Sequence, residues 1–284
     1  DPGASGEPDP ATAVGDCGKR SDGMATSVEH GATIRTMLAP DARVVMVSGA
    51  ARGIGRAVAE QLWADGFRLS LGARRPDQLA DLVASWSPAA PGPGPDGGEP
   101  AVLCHRFDAT DPTTSEAWVA ATAERFGGID ALVNNAGVLA PFAVDAFDED
   151  ALDTMWAVNV KAPARLTSLA WPHLCRSGHG RVVNLASLSA KRVRNGFAPG
   201  YAMTKHALLA LTHATRQAGW DHGVRAVALC PSFVDTAMIA GVDAGPEPIV
   251  QPADVAELVS MALCLPDHLS VPEIVVNCRR EDLF

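Results

Sequence analysis

Tyrosine is all but missing from this chain. Among 284 residues, six tryptophans and eight phenylalanines supply aromatic bulk, and one phenol, Tyr201, stands alone. Basic charge is also short: 23 Lys and Arg face 33 Asp and Glu, for a net charge of −10. That balance leaves no basic field to gather phosphates and excludes a nucleic-acid partner. No apolar run approaches the roughly 20 residues of a membrane span, so no membrane partner is expected. Six cysteines (Cys17, Cys104, Cys175, Cys230, Cys264, Cys278) include no CxxC pair. In a chain this long they read as reduced thiols of a cytoplasmic protein rather than a disulfide framework. The eight histidines show no HExxH or other metal spacing, so no metal is expected. His206 and His213 fall seven apart and read as core-edge or exposed side chains.

What is present is ordinary globular material, 47 % hydrophobic and 20 % charged, enough for a sizeable core. Residues 1–40 are rich in Pro, Gly and Asp and lack the apolar segment of a signal peptide. They are expected to form a disordered extension, with Met24 or Met37 as natural starts. A Pro/Gly-rich stretch at 86–100 is expected as a surface loop inside a single catalytic domain spanning 41–284.

From Arg43 onward, short apolar runs (RVVMVS, FRLSLGA, AVLCHRF, IDALVNN, GRVVNLAS, VRAVALC, EIVVN) alternate with helical patterns such as IGRAVAEQLWADG. The runs lack strict alternation, as expected for strands covered on both faces. Repeated strand–helix–strand units predict an α/β fold with a parallel sheet and right-handed crossovers. Ligands in such sheets bind beyond the carboxyl ends of the strands.

The first run ends in SGAARGIG, residues 48–55, and a helix follows at once. Gly49, Gly53 and Gly55 allow a tight turn and close approach of a pyrophosphate to the helix N-terminus, where unpaired N–H groups favour negative charge. The second run ends in GARRPD, with Ala73 where an NAD-binding site would place an acid for the ribose hydroxyls. Arg74 follows it and Arg52 lies inside the glycine loop. A 2′-phosphate needs forked cationic donors, so NADP(H) is expected over NAD(H).

Tyr201 and Lys205, four apart in a helical pattern, project from one helix face. Ionising a free phenol at pH 7 costs about 4 kcal/mol. A positive charge ~4 Å away, at an effective dielectric near 20, supplies about that much before desolvation is subtracted. A phenol so placed can be the general base of alcohol oxidation and the general acid of carbonyl reduction. Ser187 ends the fifth run at the sheet's carboxyl edge, where its hydroxyl could stabilise developing alkoxide charge. Ser189 is its near neighbour and an alternative.

The glycine spacing resembles the TGxxxGIG motif of the short-chain dehydrogenase/reductase family, with Ser48 in place of threonine and Ile54 between the last two glycines. The resemblance covers roughly residues 43–277. It implies a Rossmann-type, doubly wound, seven-stranded mostly parallel sheet with helices on both faces, and pro-S hydride transfer. It also implies a homotetramer or homodimer. Asp108, with Ala109 beside it, matches the aspartate that bonds the adenine. Asn135, Ala136 and Gly137, in the NNAG that begins at Asn134, match the motif lining the cofactor cleft. Asn159 matches the asparagine that orders a water next to the lysine, completing a tetrad with Ser187, Tyr201 and Lys205. Thr236 matches a threonine at the carboxamide end of the cofactor. Pro231 is followed by Ser232 where the family usually has glycine. The expected activity is NADP(H)-dependent interconversion of a secondary alcohol and a ketone, on a small-molecule substrate. A cofactor-binding sensor with vestigial chemistry is the alternative, which the intact tetrad disfavours. Epimerases and dehydratases among the extended relatives usually carry GxxGxxG and a longer substrate domain. The KRVR run at 191–194 reads as a solvated loop, or as a receptor for an anionic substrate.

Overall fold

The computed structural model describes residues 43–86, 102–193, 196–241 and 248–280. The extension expected over 1–40 lies outside these residues, as does the Pro/Gly-rich loop except for its first residue. That residue, Trp86, stacks on Trp63 with ring centroids 5.4 Å apart.

The predicted apolar runs are the strands β1 (Val44–Ser48), β2 (Arg68–Ala73), β3 (Val102–Arg106), β4 (Ala131–Asn134), β5 (Arg181–Leu185), β6 (Arg225–Pro231) and β7 (Glu273–Val276). They form one seven-stranded sheet in the order β3-β2-β1-β4-β5-β6-β7, and every pairing is parallel. The fold is therefore Rossmann-type, and the mostly parallel sheet expected from the sequence is wholly parallel. Strand order reverses between β1 and β4, which opens a crevice at their carboxyl ends.

Helices cover both faces. Strand residues Val45, Val47, Leu69 and Leu71 share an apolar cluster with Val58 and Leu62 of α1 (Gly53–Ala64) and Leu79 of α2 (Pro76–Ala84). Val255 and Val259 of α7 (Pro252–Cys264) complete it. The intervening strand residues point the opposite way, as the period of two demands. Ser70 there accepts the indole N–H of Trp118 at 2.8 Å, from α3 (Pro112–Phe126). Gly72 lies flat beneath the same indole; a Cβ there would sit 2.7 Å from the ring. The same face is covered by α4 (Glu149–Trp156), α5 (Ala162–Ser177) and α6 (Pro199–Gly219), with α3 against α5 and α5 against α6. Between α4 and α5 the chain does not break. It widens into a π-helical turn, Ala157–Lys161.

Candidate active site

At the crevice, β1 hands over to α1 through a turn in which Gly49 (φ 69°) and Gly53 (φ 55°) take left-handed backbone that other residues avoid. Gly55 has a different reason to lack a side chain. A Cβ there would lie 2.3 Å from both the Gly49 carbonyl oxygen and Asn135 Nδ2, so the first turn of α1 sits directly on the loop. No side chain caps α1, whose N-cap residue is the exposed Arg52. Its first amides are thus left for an outside acceptor, and a helix N-terminus favours an anionic one.

Ser48 is the hub that locks this loop to the NNAG segment. Its Oγ accepts the amides of Asn135 and Ala136 at 3.0 Å each and donates to the Val133 carbonyl at 3.3 Å. Asn135 Nδ2 answers by donating to the carbonyls of Ser48 at 2.9 Å and Gly49 at 3.2 Å. Beneath them Asn134 donates to Asn184 Oδ1 at 2.8 Å, and Asn184 donates to Thr212 Oγ1 at 2.8 Å. A buried amide ladder thereby joins β4, β5 and α6 under the crevice. Thr236, after β6 and Pro231, brings its methyl to 3.3 Å from where a Gly53 Cβ would stand.

Arg74 is exposed directly after β2, whose last residue, Ala73, is buried. Asp108 follows β3 and uses Oδ1 to accept the Thr110 amide at 3.0 Å and hydroxyl at 2.7 Å, with Ala109 buried beside it. The uncapped helix and the glycines fit the pyrophosphate of a dinucleotide, and Arg74 stands exposed at the end of the neighbouring strand.

Asn159 sits inside the π-helical turn, 1 % exposed. Such turns concentrate at functional sites because the extra residue re-aims the backbone. Its Oδ1 accepts the Val138 amide at 2.9 Å, and its Nδ2 donates to the Val138 carbonyl at 2.9 Å and to Thr204 Oγ1 at 3.1 Å. The side chain thus ties the segment just after NNAG to the tyrosine helix. Protein atoms take both N–H groups and one of the two lone pairs of this amide.

Tyr201 lies in the first turn of α6, and Lys205 lies below it, 4 % exposed. Lys205 Nζ is 5.5 Å from the centre of the tyrosine ring and donates to the Leu185 carbonyl at 2.7 Å. A Cβ on Gly137 would be 3.7 Å from that Nζ and 3.5 Å from Asn159 Oδ1, so the three meet. Ser187 starts a short 3-10 turn, Leu188–Ala190, and its hydroxyl accepts the Ser189 amide at 3.1 Å. It lies beside the Tyr201 phenol, close enough to pull the phenol's pKa down.

The ionisation of the pair departs from the sequence expectation. Tyr201 keeps part of its surface open, yet burial pushes its pKa up to about 12, only partly opposed by the Ser187 hydroxyl beside it. Burial pushes Lys205 down to about 8. Loss of hydration outweighs the neighbouring charge, so in this form the phenol holds its proton firmly.

Among the described residues no three His, Cys, Asp or Glu side chains converge as a metal site, and no helix is long and apolar enough to cross a membrane. Sequence reasoning passed over Ser48 as an organising group, and over Thr204 and Asn184. Only their place next to the motifs could have drawn attention to them.

Comparison with known proteins agrees with this geometry. Residues 43–247 match the family model for short chain dehydrogenases. An agropine synthesis reductase of Rhizobium rhizogenes is 44 % identical over 242 residues, 84 % of this chain and 53 % of its own. The chain therefore spans about half the length of that relative. An uncharacterized oxidoreductase of Staphylococcus saprophyticus is 30 % identical over 235 residues, 83 % of this chain and 97 % of its own. Among solved structures, an alcohol dehydrogenase from the archaeon Thermococcus sibiricus, complexed with 5-hydroxy-NADP, superposes with a TM-score of 0.73 at 29 % identity. That match covers 84 % of this chain and 99 % of the other. Levodione reductase gives a TM-score of 0.72 at 28 % identity, covering 84 % and 96 %. With the glycine turn, the NNAG lock and the Ser187–Tyr201–Lys205–Asn159 cluster in one crevice, this chain belongs to the short-chain dehydrogenase family of oxidoreductases.

Proposed function

We propose that this chain is an NADP(H)-dependent reductase that converts a ketone to a secondary alcohol and can run in reverse. The observation that carries the reading is the convergence of Ser187, Tyr201, Lys205 and Asn159 beside the uncapped N-terminus of α1. The dinucleotide, when bound, supplies or accepts a hydride. Gly49, Gly53, Ile54 and Gly55 would hold its pyrophosphate with Ser48 bracing the loop, Arg52 and Arg74 its 2′-phosphate, and Asp108 and Ala109 its adenine end. Asn135, Ala136 and Gly137 would line its cleft, and Pro231 and Thr236 would lie at the carboxamide end.

The chain's own groups then manage the oxygen of the substrate. The Ser187 oxygen accepts the Ser189 amide, and with substrate in place its hydroxyl proton would turn from the phenol to the substrate oxygen. Tyr201 enters reduction protonated, as its high pKa in this form favours, and donates its proton as the oxygen gains charge. Lys205, anchored on Leu185, stabilises the phenolate left behind and passes a replacement proton from solvent through a water held by the backbone of the widened turn. Alcohol oxidation reverses each transfer. A homodimer or homotetramer in the cytoplasm completes the proposal on family grounds.

Oxidation of NADPH and of NADH with a panel of aliphatic, cyclic and aromatic ketones tests this. Turnover with NADPH is expected; tight NADPH binding with no turnover would favour the sensor alternative. The arginines test the choice of cofactor. The Arg52→Gln, Arg74→Gln double variant is expected to raise the KM for NADPH by about 10²-fold, the scale of two lost charge-assisted contacts. The KM for NADH should stay within about twofold, since it carries no 2′-phosphate to lose. Equal changes for both cofactors would contradict the assignment.

A further inference from the structure

The basic run after Ser187 is neither simply solvated nor, at its first residue, open to a substrate. Lys191 Nζ contacts Glu273 Oε2 at 2.6 Å, and Glu273 Oε1 contacts His213 Nε2 at 3.1 Å. The three residues come from three places that matter. Lys191 closes the 3-10 turn that begins on Ser187. Glu273 is the first residue of β7. His213 lies on α6, the helix that carries Tyr201 and Lys205.

All three side chains are partly shielded, with Lys191 22 %, Glu273 21 % and His213 39 % exposed, so water screens the contact less than at an open surface. Burial raises the pKa of Glu273, but the bond to Lys191 and its charge, then those of His213, bring it below its ordinary value. The group is a carboxylate at neutral pH. The turn is pinned from within as well: the Ala190 amide donates to the Ser187 carbonyl at 2.8 Å and the Lys191 amide to the Leu188 carbonyl at 3.0 Å. The backbone of Ser187 faces the thiol of the buried Cys230 of β6, and the far end of its turn is held by β7 through Lys191.

We propose that Glu273 is a positioning residue for the reaction. By gripping Lys191 and His213 together it clasps the Ser187 turn to the helix of Tyr201, and so holds the two groups that meet the substrate oxygen in register. Neither Glu273 nor Lys191 touches substrate; they act through Ser187. This rests on the assignment of Ser187 and Tyr201 to the chemistry. It also takes Lys191 out of any substrate-binding role for the run; Arg194 lies outside the described residues.

The test uses the full chain with Glu273→Gln, Lys191→Met and the double variant. Each single variant is expected to lower kcat about tenfold, the scale of a serine displaced by a fraction of an ångström, with the KM for NADPH unchanged. The double variant should fall no further than the worse single one, because one clasp can be opened only once. Hydrogen exchange of the Ala190 and Lys191 amides should quicken about tenfold while amides of α1 keep their rates. Unchanged exchange and kcat in both single variants, or losses that multiply in the double variant, would overturn the clasp. Should the wild type reduce none of the ketones, the catalytic reading fails by itself. The exchange rates then decide the clasp alone: faster supports it, unchanged overturns it.

Discussion

Replacing Tyr201 by phenylalanine is expected to lower kcat for ketone reduction by about 10²–10⁴-fold, the usual range for removing a general acid. The fold should survive, because the ring stays and only the hydroxyl leaves. NADPH affinity should stay within about twofold, since the groups assigned to the dinucleotide come from other segments. The loss should fall on kcat. The phenol's interaction with the substrate oxygen strengthens as charge develops, and an interaction made mainly in the transition state leaves KM little changed. Lys205 is expected to replace it poorly, because its ammonium lies below the ring, 5.5 Å from the ring centre, and is held there by the Leu185 carbonyl at 2.7 Å. Ser187 could still orient the oxygen, which accounts for residual activity. Steady-state kinetics with NADPH titrations by fluorescence check both halves. Turnover within about threefold of wild type would remove Tyr201 from the mechanism.

Gly55→Ala is expected to be strongly damaging for a single added methyl group. Its Cβ would stand 2.3 Å from the Gly49 carbonyl oxygen, which is backbone, and from an Asn135 amide that is already hydrogen-bonded to that loop. Neither neighbour can rotate away cheaply. The helix must lift or the glycine turn must open, and overpacking of this kind costs about 1–3 kcal/mol of stability. Either movement displaces the amides assigned to the pyrophosphate, so NADPH should bind about 10²-fold more weakly or worse. Gly128→Ala provides the contrast. No atom lies within 4 Å of a Cβ there, and stability should stay within about 0.5 kcal/mol. Thermal melts with and without NADPH separate the two effects. A Gly55→Ala protein that binds NADPH like wild type would show that this turn does not hold the cofactor.

Much of this was legible in the sequence because it is local. Seven apolar runs became seven strands, since each is short, bounded by turns and apolar on both faces. The glycine turn and the i, i+4 pairing of Tyr201 with Lys205 are properties of neighbouring residues. What stayed hidden depends on residues far apart in the chain. Ser48 braces Asn135 and Ala136 across 87 and 88 positions, and Lys191 meets Glu273 across 82. The π-helical turn at Asn159 interrupts a pattern that reads as continuous helix. Its reason is the Val138 backbone that the side chain must reach. The tyrosine's ionisation is only half legible, because proximity of a charge is visible in spacing, whereas the depth of burial that opposes it is not.

That last difference gives the account its most direct test. With a single tyrosine in the chain, tyrosinate absorbance in a pH titration reports Tyr201 alone, above tryptophans that do not ionise. Without cofactor, burial should keep the phenol protonated, with a pKa up to about 12. With NADP⁺ bound, the added positive charge should stabilise the phenolate and bring the pKa below the ordinary ~10 of a free tyrosine. A pKa that stays at or above ~10 with NADP⁺ bound would contradict the assignment of Tyr201 as the acid and base of this site.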